Sequence, residues 1–201
     1  MVQRQQRTQR SSSPKKRDGS IRIISGLWRG RKLPVHDSEG LRPTTDRVKE
    51  TVFNWLAQDI PRSNCLDIFA GSGGLGFEAL SRGADKVTMI ELDKNAHHQL
   101  ITNKNTLKSE KIEIIHANAL DYLQQSGQPY DLVFIDPPFR KGLLEDTIKQ
   151  LEANQWLANN ALIYIETEKE ISHIDAPAHW TLYREKTAGQ VCYRLYQREV
   201  E

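Results

Sequence analysis

Cysteine is scarce in this 201-residue chain: its two cysteines, Cys65 and Cys192, lie far apart and form no CxxC pair. That argues against a disulfide framework and against a zinc site, and it suits a reducing cytoplasm. Long apolar runs are missing too. No stretch reaches the roughly 18 consecutive apolar residues needed to span a bilayer. The N-terminus lacks the apolar segment of a secretory signal, and no internal repeat is visible. The expectation is therefore a cytoplasmic protein with no membrane partner and no metal. A monomer is expected. At 38% hydrophobic residues the chain is long enough for one α/β domain with a core plus a short appendage.

Acid is absent from the first 17 residues, which carry Arg4, Arg7, Arg10, Lys15, Lys16 and Arg17. The chain is +2 overall and this segment +6, so the rest carries −4. A Gln/Ser/Arg segment this poor in apolar residues is expected to be disordered. It is either a solubilising terminus or an arm for a polyanion, and charge alone does not choose. The predicted division is a basic tail over 1–20 and a single domain over 21–201. That domain comprises a hairpin extension (21–40), a leading helix (41–60) and a Rossmann-like core (61–201).

Apolar periodicity supports that division. IRIISGLWRGRKLPV reads as short β-like runs punctuated by Gly26 and Gly30. Thr44 or Thr45 can cap a helix that shows Val48, Val52, Phe53 and Leu56 on one face. From Cys65 onward, strands alternate with helices: Cys65–Ala70, Val87–Glu91, Ile112–Ala117, Asp131–Phe139 and Ala161–Glu166 are the predicted strands. Such alternation means a parallel sheet covered on both faces. WTLYREK and QVCYRLYQ, around Ala188-Gly189, predict a terminal antiparallel hairpin.

Between the first core strand and its helix stands Gly71-Ser72-Gly73-Gly74-Leu75-Gly76, a GxGxxG run. Glycine lets a backbone turn sharply and approach a ligand closely. Glu91 closes the next strand 20 residues after Gly71, where an acid accepts hydrogen bonds from ribose hydroxyls. That pattern alone does not separate NAD from S-adenosyl-L-methionine. Asp67, inside the strand, makes D-x-F-x-G-S-G, which resembles motif I of class I methyltransferases; the resemblance implies that this acid serves the methionine ammonium. Asn118-Ala119, after the third core strand, stands where that family reads the adenine edge, although Asn118 is equally at home as a turn residue.

Asp136-Pro137-Pro138-Phe139 ends the fourth core strand, and ligands of open α/β sheets bind at carboxyl ends of strands. Two prolines donate no hydrogen bond and stiffen the chain. The segment therefore offers acceptors, the Asp136 carboxylate and backbone carbonyls, which suit the hydrogens of an exocyclic amino group. Phe139 offers a face for stacking. DPPF resembles the [DNS]-PP-[YFW] motif of amino-group methyltransferases that act on adenine N6, cytosine N4 or guanine N2.

Taken together, RIISGLWRGRKLPV, LRPTTDRVKETVFNWL, DIFAGSGGLGFEALSRGA, FIDPPF and LIYIE resemble the RsmD family of bacterial enzymes. The resemblance implies a Rossmann-like class I methyltransferase with a seven-stranded, mostly parallel sheet, a C-terminal antiparallel hairpin and a small N-terminal β-rich extension. It implies S-adenosyl-L-methionine as cofactor and methylation of guanine N2 at position 966 of 16S rRNA in the small ribosomal subunit. It further implies that Arg42, Thr44 and the helix through Phe53 close over the pocket, and that Trp28–Lys32 faces RNA. Trp28, Arg29, Arg31 and Lys32 would form a phosphate-and-stacking patch, or else a solvated hairpin. Two rivals remain: an adenine-N6 methyltransferase on DNA or another RNA, and a cofactor-binding ribosome assembly factor. An NAD oxidoreductase fails for want of a proton-relay residue.

Deleting residues 1–17 should weaken RNA affinity and leave cofactor affinity unchanged. Each lost phosphate contact should flatten the slope of log K against log salt by about 0.7–0.9. An unchanged slope would make the tail a bystander.

Overall fold

A computed structural model describes residues 19–35 and 45–200. Residues 1–18 of the tail, Arg42 and Thr44 lie outside the described residues, while Gly19 and Ser20, expected in the tail, begin a strand. Elements run β1 (Gly19–Arg22), β2 (Lys32–Val35), α1 (Asp46–Trp55), β3 (Asn64–Asp67), α2 (Gly74–Ser81), β4 (Lys86–Glu91), α3 (Lys94–Leu107), β5 (Ile112–His116) and α4 (Ala119–Leu123). They continue with β6 (Tyr130–Ile135), α5 (Leu144–Ala153), β7 (Leu157–Glu168), β8 (Trp180–Ala188) and β9 (Val191–Arg198).

Seven strands form one sheet in the order β5-β4-β3-β6-β7-β9-β8. The first five are parallel neighbours, and β9 pairs antiparallel with both β7 and β8. The expected mostly parallel sheet with its C-terminal hairpin is thus present. Residues alternate between its faces with the strand period of two. Leu132, Phe134, Leu162 and Tyr164 join one core with α1, α2 and α3 residues such as Phe53, Phe77 and Leu100. Val133, Ile135, Ile163 and Ile165 join the other, with Leu123, Ile148 and Leu151 of α4 and α5. Burial on both faces explains why these strands read as continuous apolar runs.

Local chemistry sets the helix starts. Thr45 caps α1 by accepting from Val48 N–H, and Asp93 caps α3 by accepting from Asn95 and Ala96 N–H. Strand boundaries differ from expectation: β3 ends at Asp67 and not at Ala70, β6 ends at Ile135 so that Asp136–Phe139 lies beyond it, and β7 begins at Leu157, four residues before Ala161. Asn159 and Asn160 are poor strand formers, but Leu157 is held opposite Tyr130, with a register shift absorbed before Leu132.

The N-terminal extension is an antiparallel β1–β2 hairpin with Ile21 opposite Leu33. It is fastened to the domain by buried polar groups. Glu78 of α2 is fully buried and accepts from Ile24 N–H (2.7 Å), Ser25 N–H (3.0 Å) and Arg82 Nε (2.7 Å). Lys49 Nζ of α1 donates to the Arg22 carbonyl (2.7 Å), and Asn103 Nδ2 of α3 donates to the Pro34 carbonyl (3.0 Å). Trp28 corrects the sequence reading. It is 7% exposed and belongs to the core with Ile21, Ile23 and Leu33, so its ring does not stack on RNA. Its neighbour Leu27 takes the outward position instead, 79% exposed. Arg29, Arg31 and Lys32 remain on the surface.

Glu78→Gln keeps the volume but loses the charge that binds Arg82 and two backbone N–H groups. Breaking a buried pair costs about 3–5 kcal/mol, so the denaturation midpoint should fall accordingly. A midpoint close to wild type would show that the Glu78 charge does not hold the extension.

Candidate functional site

Four loops at the carboxyl ends of β3, β4, β5 and β6, together with Glu166 of β7, the β8–β9 turn and the start of α1, surround a cavity of about 1070 Å³. Ligand sites of open α/β sheets form at this edge, and the volume is at the upper end for a small-molecule site. Asp67, Gly71, Ser72, Glu91, Asn118, Ala119, Asp136, Pro137 and Phe139 all line it. Among the described residues they come from four separate stretches of sequence.

The glycine loop is gripped at both ends by carboxylates. Glu91 Oε2 accepts from Gly71 N–H (2.7 Å), while its Oε1 accepts from Asp93 N–H (2.7 Å). Asp67 Oδ2 accepts from Gly76 N–H (3.1 Å). Gly73 and Gly76 do not line the cavity; they permit the packing behind it. Gly73 sits at φ +78°, and a Cβ there would lie 2.5 Å from the Phe77 ring. A Cβ at Gly76 would meet Met89 Cε at 2.4 Å, so glycine lets α2 lie close on β4.

Asp67 is 1% exposed, and its Oδ1 has no hydrogen-bond partner. Burial pushes its carboxyl up to about 7; the Gly76 N–H opposes this and the nearby Glu91 charge adds to it. A buried carboxylate oxygen without a donor, on a cavity wall, fits a ligand bearing a cationic or N–H group. Glu91 is only partly buried and keeps lone pairs beyond the two backbone bonds, which fits ribose hydroxyls. The residues present therefore fit an amino-acid-bearing nucleoside such as S-adenosyl-L-methionine. Asn118 is the N-cap of α4: its Oδ1 accepts from Leu120 N–H (2.9 Å) and Asp121 N–H (3.3 Å). Its side-chain acceptor is thus occupied locally, leaving the Nδ2 donors or the backbone for a ligand.

Asp136, half-buried, follows the last residue of β6, the strand paired with β3. That pairing brings DPPF to the same wall as the glycine loop. Some lining residues were not anticipated. Thr45 and Val48 bring the start of α1 to the cavity, where Thr44 had been expected, and Gln190 comes from the β8–β9 turn. Glu166, 6% exposed, is another. Its signal was an acid closing an apolar strand, as Glu91 closes β4. A second cavity of about 810 Å³, lined by Asn54, Trp55 and Tyr183 among others, holds none of the motif residues.

Comparison with known proteins decides the family. A family profile described as Conserved hypothetical protein 95 matches residues 21–197. The chain is 60% identical over 183 residues to Ribosomal RNA small subunit methyltransferase D of Escherichia coli strain K12, covering 91% of this chain and 92% of that protein. This chain belongs to the RsmD family of class I methyltransferases. The Haemophilus influenzae relative of the same name is 61% identical over 183 residues, covering 89% of this chain and 94% of its own length. The solved structure of yhhF from Escherichia coli superposes with a TM-score of 0.86 at 57% identity, covering 91% of this chain and all of that one. RsmD membership accounts for the parallel sheet, the inserted β9 and the shared wall of glycine loop and DPPF.

The Asp67 carboxyl binds its proton more tightly folded than unfolded, with a value of about 7 against an ordinary 3.8. Its ionisation therefore opposes folding, and this contribution to stability should fall as pH rises from 3.8 to about 7. The stability difference, wild type minus Asp67→Asn, measured without ligand, should decline across that window and level off above it. A difference independent of pH would overturn the burial assignment.

Proposed function

We propose that this chain methylates the exocyclic N2 of a guanine, position 966, in the 16S rRNA of the small ribosomal subunit, with S-adenosyl-L-methionine as donor. The observation that carries this reading is the juxtaposition of Asp136-Pro137-Pro138-Phe139 with the Asp67/Glu91-gripped glycine loop on one cavity wall. The names of the 60% and 61% identical relatives support the ribosomal substrate. Cytoplasmic location follows from that substrate. When bound, the cofactor supplies an electrophilic methyl group on a sulfonium sulfur.

Glu91 accepts from the ribose hydroxyls while holding Gly71 in place, and Asp67 Oδ1 faces the ammonium. Asn118 Nδ2 and the Ala119 backbone border the adenine; Ser72 and the glycine backbone close around the methionine portion. Asp136 and the Pro137 carbonyl accept the two hydrogens of the target amino group. An exocyclic nitrogen delocalises its lone pair into the ring; holding both hydrogens turns that lone pair toward the methyl and stabilises the positive charge that grows on nitrogen. The surplus proton leaves the nitrogen after transfer, so no strong base is needed for the attack. Phe139 stacks on the extruded base. Arg29, Arg31 and Lys32 meet backbone phosphates.

Asp136→Ala should bind S-adenosyl-L-methionine nearly as wild type and transfer methyl groups ~10²–10³ more slowly. Phe139→Ala should fall mainly on RNA binding, by about 1–3 kcal/mol of stacking. The assay supplies unmodified small-subunit particles and labelled cofactor, then digests the RNA to nucleosides. Label in N2-methylguanosine is expected; label in N6-methyladenosine, or full activity of Asp136→Ala, would overturn the reading.

A further inference from the structure

An exocyclic amino group alone does not tell a guanine from an adenine or a cytosine, and the hydrogen-bond acceptors of DPPF meet only that group. What distinguishes the bases is the ring atom beside the amino nitrogen. Guanine N2 lies between N1–H, a donor, and N3, an acceptor; only guanine has a donor on either side. Adenine N6 is flanked by N1, and cytosine N4 by N3, both acceptors. A site that selects guanine therefore needs a second acceptor next to the one that holds the amino hydrogens.

Glu166 stands at that place. β6 and β7 pair in parallel with Ile135 opposite Ile165 as their last pair; Asp136 is the residue that follows β6, and Glu166 is the next residue of β7. The strand period of two puts Glu166 on the same face as Tyr164, and the Tyr164 hydroxyl lies near both acids: burial first, then the charges of Glu166 and Asp136, push it well above the ordinary tyrosine range. Both residues line the 1070 Å³ cavity. Glu166 is 6% exposed, and Tyr164 Oη, itself buried, donates to its Oε2 at 2.8 Å. A carboxylate accepts about four hydrogen bonds, so one from Tyr164 fixes its orientation and leaves capacity for a ligand. Burial raises the Glu166 carboxyl above the ordinary glutamate range, and the Tyr164 hydroxyl works against that. A ligand N–H would act in the same direction as Tyr164, favouring the ionised acceptor.

We infer that Glu166 is a specificity-determining residue that accepts a hydrogen bond from guanine N1–H while Asp136 holds the adjacent N2 amino group. This rests on the guanine-N2 reading above. The paired acceptors match the paired donors of the guanine edge, whereas the acceptor nitrogen of adenine or cytosine would face a buried carboxylate with no hydrogen between them. Sites built to hydrogen-bond a donor reject analogues that lack it, because the buried acceptor is then left unpaired.

The test uses reconstituted small-subunit particles carrying either guanine or 2-aminopurine at the target position. 2-Aminopurine keeps the 2-amino group but has an unprotonated N1 and no O6. Wild type should methylate the guanine particle with a kcat/KM at least about 100-fold above that for 2-aminopurine. Glu166→Gln, confirmed folded by its melting curve, should lose roughly 10- to 100-fold on guanine and far less on 2-aminopurine, so the ratio collapses. A variant that slows both substrates equally would make Glu166 a structural residue and overturn the inference. So would a wild type that accepts 2-aminopurine as readily as guanine, a result that needs no variant. A wild type that leaves guanine N2 unmethylated in the first arm is a different outcome, the failure of the guanine-N2 reading itself.

Discussion

Two carboxylates at neighbouring strand ends, Asp67 on β3 and Glu91 on β4, hold the glycine loop between them, and the geometry of the cavity depends on that grip. Glu91 takes the first N–H of the loop and Asp67 takes the N–H of Gly76 at its far end. Burial first, with the nearby Glu91 charge adding to it, pushes the Asp67 carboxyl up to about 7. The arrangement is costly for a protein without ligand and suited to one with a cationic ligand, since a positive group relieves both the burial and the repulsion. Strain of this kind at a site is where sequence rules for a stable core are expected to give way.

The fold was legible because the strands are buried on both faces and the turns between them carry Gly, Asn, Asp and Pro. Asp67, Glu91 and Asp136 were legible for a related reason: a charge at the end of an apolar strand stands out against its surroundings. Glu166 has the same signature but was passed over. Its significance comes from lying beside Asp136, and that depends on the pairing of β6 with β7, which periodicity along one strand does not reveal. Asn118 was read as either a cofactor contact or a turn residue; its Oδ1 serves the turn as the α4 cap.

Trp28 shows the limit of reading surface function from composition. A tryptophan among Arg29, Arg31 and Lys32 looks like a stacking platform for RNA, yet a short hairpin with few apolar residues needs a large side chain to anchor it. The ring goes inward, and the backbone N–H of Trp28 is met by Ser81 Oγ at 3.0 Å. The three cations are left on the outer surface as a patch of charge without an aromatic.

The placement of β9 has a consequence for how the chain is assembled. The strand that comes last in sequence lies inside the sheet, between β7 and β8, and not at its edge. Until β9 exists, β7 presents an unpaired edge and β8 has no neighbour to pair with, so the parallel half of the sheet can form first but cannot be sealed. Exposed edges of this kind recruit other strands. A nascent chain halted before Val191 would therefore be sticky as well as incomplete, because β9 pairs with β8 across a local turn and seals β7 from a longer distance along the chain.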